Sequence, residues 1–312
     1  MRVTVTGATG LIGRGLVSAL LTRGDEVTVL TRDPDRARAT LAVKDSPTLQ
    51  AAGWELENEP APAPALSGRD AVVHLAGENV AQRWSASAKR AIRDSRVLGT
   101  RNLIAGLERA DPRPGVLVCS SAVGYYGPHG EEPLDEDAPA GDDFLARVCA
   151  DWETTADGAR ALGMRVVQVR TGVVLDRGGG ALGKMLPAFR LGLGGPVASG
   201  RQFISWIHRD DVIGMMLVAI EDERWSGPVN ATAPEPVCNR EFSQALGHAL
   251  GRPALLPVPA LALRLLYGDM AEIVTTGARA VPAKALVLGY EFSHPQLEPA
   301  LRAALAQGSR SR

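Results

Sequence analysis

Gly7, Gly10 and Gly13 stand at three-residue spacing in RVTVTGATGLIG, residues 2–13. Glycines so spaced, between an alternating apolar strand and a helix, suit the pyrophosphate of a dinucleotide. Gly7 permits a positive-φ turn, Gly10 lets the backbone approach the phosphates, and Gly13 lets the helix pack close to the sheet. Thr9, Leu11 and Ile12 frame the helix start, where free N–H groups and the positive end of the dipole meet an anion. The second strand ends Val29-Leu30-Thr31-Arg32. An acid at that end would accept from the ribose hydroxyls of NAD, whereas its absence beside an arginine suits the 2′-phosphate of NADP(H). Thr31 and Arg32 therefore point to NADP(H). Asp33, followed by Pro34, reads as the N-cap of the next helix.

Proton transfer is the second chemistry to look for. Tyr125 and Tyr126 follow the strand Val116–Ser120 at its carboxyl end, where ligands collect in open parallel sheets. One phenol could donate a proton, although an unassisted phenol titrates near pH 10, and a stacking or hydrogen-bonding tyrosine is the alternative. Ser121, with Ser120 as its alternate, offers a hydroxyl. His208, in SWIHRDD, could act as an acid or base; alternatively that segment anchors a second lobe, with Asp210 or Asp211 capping a helix over Val212–Ile220. Glu78 and Asn79 extend past the strand Asp70–Leu75, and Arg96 could meet a cofactor phosphate or a substrate anion. The loop Glu131–Asp143 holds seven carboxylates and no Lys or Arg. It reads as a solvated hairpin without calcium-loop spacing, and no metal site is expected.

The elements that must position these groups alternate. Strands at Glu26–Thr31, Asp70–Leu75, Val116–Ser120 and Met164–Arg170, with helices at Leu11–Thr22, Ser85–Leu107 and Asp143–Leu162, predict an α/β fold. It is a Rossmann-type doubly wound parallel sheet with a smaller, mostly helical C-terminal substrate lobe. EPAPAPA, residues 59–65, reads as an extended, exposed connector. From Asp176 to Gly200 eight glycines and two prolines suggest a mobile loop system. Amphipathic helices follow at Glu241–Leu250, Pro259–Tyr267 and Gln296–Ala306.

A chain of 312 residues exceeds what one core comfortably organises. The division expected is an NADP(H)-binding domain over 1–175, whose sheet can recruit later segments, and a substrate lobe over 176–312, helical from 240. A net charge of -1 gives no reason to invoke nucleic acid or a membrane surface, leaving a small-molecule substrate as the expected partner. Cys119, Cys149 and Cys238 are too far apart for a disulfide framework or zinc cluster and read as small apolar residues. The first strand follows Met1-Arg2 directly, and the run Ala254–Leu266 is interrupted by Pro257, Pro259 and Arg264. The expectation is a cytoplasmic protein without signal peptide or membrane span.

TGATG in its GxxGxxG turn, DAVVHLAG (70–77), VLGTRNL (97–103) and VLVCSSAVGYYG (116–127), in that order, resemble the extended short-chain dehydrogenases/reductases. With GENVAQRW (77–84), LDEDAPAGDDFLA (134–146), the stretch Arg170–His208 and the helical tail, the chain closely resembles the atypical epimerase-like group of that superfamily. Bacterial members of the group are labelled nucleoside-diphosphate-sugar epimerase or SulA-type cell-division inhibitor. The resemblance covers essentially the whole chain. It implies NADPH binding, with Leu75, Ala76 and Gly77 along the adenine and ribose side, and attaches no substrate.

The resemblance also exposes a loss. Extended reductases use a Tyr-x-x-x-Lys pair on the helix after the fifth strand, where lysine lowers the tyrosine pKa. Here that helix reads DFLARVCADWE (143–153), with Leu145 at the tyrosine position and Cys149 at the lysine position, while Arg96 replaces a usual asparagine. Two readings follow. One is an NADPH-dependent oxidoreductase or epimerase of a small carbonyl or sugar-like substrate, with a relocated proton donor among Tyr126, Ser121 and His208. The other is a non-catalytic NADPH-binding regulator or scaffold, linked through the family's label to cell division. The glycine-rich stretch Gly178–Gly200, read as a closing lid, favours the enzyme.

Overall fold

A computed structural model describes residues 1–41 and 47–306. The chain begins β1 (Arg2–Thr6), α1 (Leu11–Thr22), β2 (Glu26–Thr31), α2 (Pro34–Thr40), β3 (Leu49–Gly53), β4 (Ala71–His74), α3 (Ala86–Glu108) and β5 (Val116–Ala122). It continues with β6 (Pro133–Leu134), α4 (Phe144–Asp157), β7 (Arg165–Thr171), β8 (Val173–Leu175), α5 (Gly180–Arg190), β9 (Phe203–Ile204), β10 (Trp206–His208) and α6 (Arg209–Glu221). Last come β11 (Gly227–Ala231), β12 (Val237–Cys238), α7 (Asn239–Leu250), α8 (Ala260–Tyr267), α9 (Ala271–Thr275), β13 (Arg279–Ala280), α10 (Ala283–Val287) and α11 (Leu297–Ala306).

Seven strands form one parallel sheet in the order β11-β7-β5-β4-β1-β2-β3. The order reverses between β1 and β4, and that switch point opens a crevice at the strands' carboxyl ends. Central strands are buried on both faces, as parallel sheets require, and their side chains alternate between two cores. Val73 and Val118 pack with Leu16, Val17 and Leu20 of α1 and Ile213 and Met216 of α6. Val72 and Leu117 pack with Leu103 and Leu107 of α3 and Trp152 of α4. Each fully buried Leu or Val contributes roughly 1.5–3 kcal/mol. A third core joins Leu182, Leu186 and Phe189 of α5 to Phe242 and Leu246 of α7 and Leu301 of α11.

Caps set the helix starts as their side chains predict. Asp33, Ser85 and Asp143 accept from the amides of Arg36, Ala88 and Ala146 at 2.9, 3.1 and 3.0 Å. At α6 the expectation fails: His208 Nδ1, not Asp210 or Asp211, accepts the Asp210 amide at 3.2 Å, and both aspartates lie inside the first turn. β3 carries no strand signal in the sequence, because LQAAG lacks β-branched and aromatic residues. The EPAPAPA connector is not exposed throughout: Ala61 and Ala65 are buried, and Ala61 presses on Gly106 of α3. The glycine-rich stretch expected as loop contains α5, which carries Pro187. Among the described residues no helix is long and apolar enough to cross a membrane.

Candidate functional site

At the β1–β4 crevice the three glycines serve different ends. Gly7 adopts φ +67°, and a Cβ there would lie 2.7 Å from the Leu75 carbonyl, so the turn presses directly on the loop after β4. A Cβ on Gly13 would stand 2.3 Å from Gly7 O and 2.8 Å from Ala8 Cα, which fixes α1 against the turn. Gly10 is different. Its φ of -73° suits any residue, contrary to a conformational reason for glycine, and a Cβ would meet only Gly7 O, at 3.2 Å. Thr9 and Gly10 are exposed, and no side chain caps α1 or places an acid in its first turn. The amides and positive dipole at Leu11 and Ile12 are thus presented to an anion.

A buried hydrogen-bond chain holds the opposite wall. Thr6 Oγ1 accepts the Leu75 and Ala76 amides, both at 3.1 Å, so its own proton goes to His74 Nδ1 at 2.7 Å. His74 therefore carries its proton on Nε2 and donates to Thr100 Oγ1 at 3.1 Å, which also accepts from Trp152 Nε1 at 2.9 Å. Burial, with the nearby Arg96 charge, pulls His74 down to about 4. The imidazole is a neutral strut.

Past that strut Gly77, Glu78 and Asn79 are exposed. The Arg96 guanidinium lies beneath them, donating through Nη1 to the carbonyls of Glu78 (3.1 Å) and Ile92 (2.9 Å) and lying 5.1 Å from the Trp152 ring centroid. Among the described residues it has no ion pair, and burial lowers its pKa from the usual arginine value. A half-buried guanidinium beside the crevice, bonded here to backbone carbonyls, can accept an anion. Thr31 is half-buried and Arg32 is exposed at the end of β2.

The three proton-donor candidates are placed elsewhere than a cleft role requires. Ser121 donates to Glu153 Oε1 at 2.6 Å, and Glu153 takes a bidentate pair of bonds from Arg170, both 2.9 Å, wholly inside the protein. Arg170 Nη1 also donates to Tyr126 OH and to the Glu136 carbonyl, each at 3.0 Å. The Tyr126 hydroxyl has Asn230 Oδ1 at 2.7 Å and the Asp135 carbonyl at 2.8 Å to receive its one proton. Tyr126 is 0% exposed, and burial pushes its phenol up to about 12. His208 is equally buried and caps α6. Tyr126, Ser121 and His208 are all buried, with Ser121 bonded to Glu153, Tyr126 to Asn230 and Arg170, and His208 to the first turn of α6. Glu136 also departs from the solvated hairpin, receiving the amides of Asn230 and Lys284 at 2.9 and 3.1 Å.

Tyr125 remains. It is half-buried, its ring stacks 3.5 Å from the Arg170 guanidinium carbon, and its hydroxyl takes no part in the buried network. Cys149, at the position of the missing lysine, is buried among Arg96, Ser121 and Glu153, and burial pushes its thiol up to about 12. The start of α5 lies at the crevice: Gly179 and Gly180 approach the Leu11 side chain, and Lys184 Nζ donates to the Ala81 carbonyl at 2.6 Å. Lys89–Asp269 (2.7 Å) and Arg83 Nη1 to the Leu265 carbonyl (3.1 Å) tie the same loop region to the segment containing α8.

Residues 3–231 match the family described as "NAD dependent epimerase/dehydratase family". The chain belongs to that family. Residues 258–304 match a domain of unknown function, DUF1731. Among curated relatives, the human Epimerase family protein SDR39U1 is 39% identical over 313 residues, spanning 98% of this chain and 100% of the relative. The Arabidopsis thaliana homologue, described as chloroplastic, is 41% identical over 307 residues, covering 98% and 87%. The crystal structure of human SDR39U1 (isoform2) with NADPH superposes with a TM-score of 0.85 at 38% identity, covering 98% of this chain and 100% of that one. A dTDP-glucose 4,6-dehydratase, DesIV from Streptomyces venezuelae, shares the fold at 24% identity and a TM-score of 0.79, over 98% and 96%. The epimerase-like resemblance and the Rossmann-type fold read from the sequence both stand.

Proposed function

We propose that the chain binds NADP(H) across the β1–β4 crevice and works as an epimerase-like oxidoreductase on a small carbonyl or sugar-like substrate. The observation that carries the nucleotide half is the uncapped α1 N-terminus behind Gly10, whose missing side chain the protein's own packing scarcely requires. The human relative crystallised with NADPH supports the same reading. Arg32 takes the 2′-phosphate, the amides of Leu11 and Ile12 take the pyrophosphate, and the loop Leu75–Glu78 runs beside the sugar. When bound, the dinucleotide supplies or accepts the hydride.

Arg96 presents a positive charge beside Cys149, where ordinary members of the superfamily place lysine, and holds an anionic or hydroxyl group of cofactor or substrate. Tyr125 is the phenol best placed to exchange the proton, because Tyr126 is consumed by Arg170 and Asn230. A second reading, a regulator without turnover, has one observation behind it: Ser121, Tyr126 and His208 are all buried in structural roles.

Paired titrations separate the parts. NADPH should bind at least about tenfold more tightly than NADH, roughly 1.4 kcal/mol, and Arg32→Ala should remove most of that preference. On a panel of aldehydes, ketones and nucleotide sugars, Tyr125→Phe should reduce turnover at least about a hundredfold. Equal cofactor affinities would overturn the NADP(H) assignment. A panel without turnover, with cofactor binding intact, would leave the regulator.

A further inference from the structure

α8 departs from the usual pattern of a surface helix, which buries its apolar face. It reads ALALRLLY, yet none of its described side chains is buried, and Leu261 and Leu265, one turn apart on the same face, are 68% and 71% exposed. The segments beside it repeat the feature. Leu191 and Leu193, just past α5, are 74% and 56% exposed, and Leu255 and Leu256, before α8, are 78% and 50% exposed.

These leucines belong to one patch, because the backbone segments that carry them run side by side. The Leu256 amide donates to the Gly194 carbonyl at 3.3 Å, the Val258 amide to the Pro196 carbonyl at 2.9 Å, and the Ala198 amide to the Val258 carbonyl at 3.0 Å. α8 begins two residues after Val258. Large apolar residues scattered singly over a surface are ordinary, whereas six on adjoining segments mark a surface that docks on something.

The charges around the patch say what it docks on. Neither 177–209 nor 242–268 contains an Asp or Glu, while the two stretches together hold seven Lys and Arg residues. The net charge of -1 conceals this asymmetry, because the balancing acids lie elsewhere in the chain. Arg190, Arg201 and Arg252 are exposed and pair with no carboxylate among the described residues. The acids that follow α8, Asp269 and Glu272, share a small cavity with Arg264, and Asp269 is already paired with Lys89 at 2.7 Å. A second copy of the chain would bring the same cations and, in these stretches, no acid to meet them. An anionic lipid surface matches both halves of the patch: its phosphates meet the guanidiniums, and its acyl boundary takes the leucines.

We propose that α8 and the adjoining segments 191–198 and 253–258 dock the protein on an anionic phospholipid surface. The helix lies in that surface and does not cross it, since its 8 residues span about 12 Å against a hydrocarbon core of about 30 Å. The loop after β4 is placed beside the contact, because Arg83 Nη1 donates to the Leu265 carbonyl at 3.1 Å.

The test sediments the full-length protein with vesicles of phosphatidylcholine containing about 30 mol % phosphatidylglycerol, at about 0.1 M salt, where surface charge is still felt over roughly 10 Å. The protein should pellet with these vesicles, and should bind vesicles of phosphatidylcholine alone at least about tenfold more weakly. Leu261→Asn with Leu265→Asn should reduce binding at least about tenfold, and Arg190→Gln with Arg252→Gln should remove most of the preference for anionic vesicles. All four positions are exposed, so circular dichroism and melting should be unchanged. Leu286→Asn with Val287→Asn, at exposed apolar residues of α10, should leave binding as it was. No pelleting with anionic vesicles, equal binding to both kinds, or binding untouched by the leucine pair would overturn the proposal. So would a concentration-dependent dimer, seen by light scattering without lipid and abolished by the leucine pair, because a second copy would then cover the patch.

Discussion

Gly10 and Gly13 differ in what a methyl group would strike, and the difference separates a ligand's demand from the fold's. At Gly13 a Cβ enters the Gly7 carbonyl at 2.3 Å, so Gly13→Ala must displace α1 from its turn. At Gly10 the nearest atom is at 3.2 Å and the backbone is extended, so a side chain is accommodated by the protein but projects where the phosphates belong. Gly10→Val should therefore keep its circular dichroism and melting point while losing NADPH affinity at least about a hundredfold, close to 3 kcal/mol. Gly13→Ala should lose both. Tight NADPH binding by folded Gly10→Val would place the phosphates elsewhere. These glycines are legible because their role is local, completed within seven residues. Tyr126 is not, because the Asn230 acceptor that withdraws it from chemistry lies 104 residues away. Cys149 shows a third case: its alignment with a lysine is readable, but not that Arg96 already stands beside it. Leu145→Tyr with Cys149→Lys would bury an ammonium against that guanidinium, so the double substitution should fail to restore an ordinary reductase.

Between elements, the Arg170–Glu153 pair joins β7 to α4 with both side chains almost fully enclosed. Removing one partner of a buried pair costs about 3–5 kcal/mol, because the other charge stays desolvated. Glu153→Gln should lower the urea unfolding free energy by about that amount. It should also leave the Arg170 charge uncompensated against the Tyr126 hydroxyl it donates to, visible as a changed tyrosine absorbance on alkaline titration. An unchanged midpoint would show that the pair is solvated. The strut of Thr6, His74 and Thr100 joins β1, β4 and α3 in the same way, but its signature is pH dependence. His74 has a folded pKa of about 4 against 6.5 for an unperturbed histidine. As pH falls below 6.5 the unfolded chain takes this proton first, so the contribution is complete above 6.5 and is lost toward pH 4, roughly 3 kcal/mol in all. Urea midpoints measured from pH 7.5 down to 4.5 should fall through that window; a flat profile would contradict a neutral buried His74. The strands, the long helices and their caps could be read from the sequence because periodicity and cap chemistry are local. β3 could not, since LQAAG carries no β-branched or aromatic residue, nor could the pairings β6–β13 and β9–β12, since two-residue strands carry no period.

Over the whole molecule, α5 touches the elements around the β1–β4 crevice at places that a bound dinucleotide would pass between. α5 starts against Leu11 of the glycine turn and sends Lys184 to the Ala81 carbonyl beyond β4, bridging both walls of the crevice with one helix. Its inner face is fixed by Leu182, Leu186 and Phe189 in the third core, while Lys184 is exposed and donates to a backbone carbonyl that water could equally satisfy. Water competes for an exposed ammonium, so such a contact is readily exchanged. Phosphate oxygens bound at the α1 N-terminus offer the Lys184 ammonium an anionic acceptor, so that both members of the bond would be ionised. NADPH should therefore slow amide hydrogen exchange across residues 178–190 at least about tenfold, since added stability of the closed arrangement appears directly as protection. Lys184→Met should weaken NADPH binding several-fold and abolish most of that added protection, with the unliganded exchange pattern unaltered. Equal protection in the variant would show that α5 is ordered by the third core alone and takes no part in holding the cofactor.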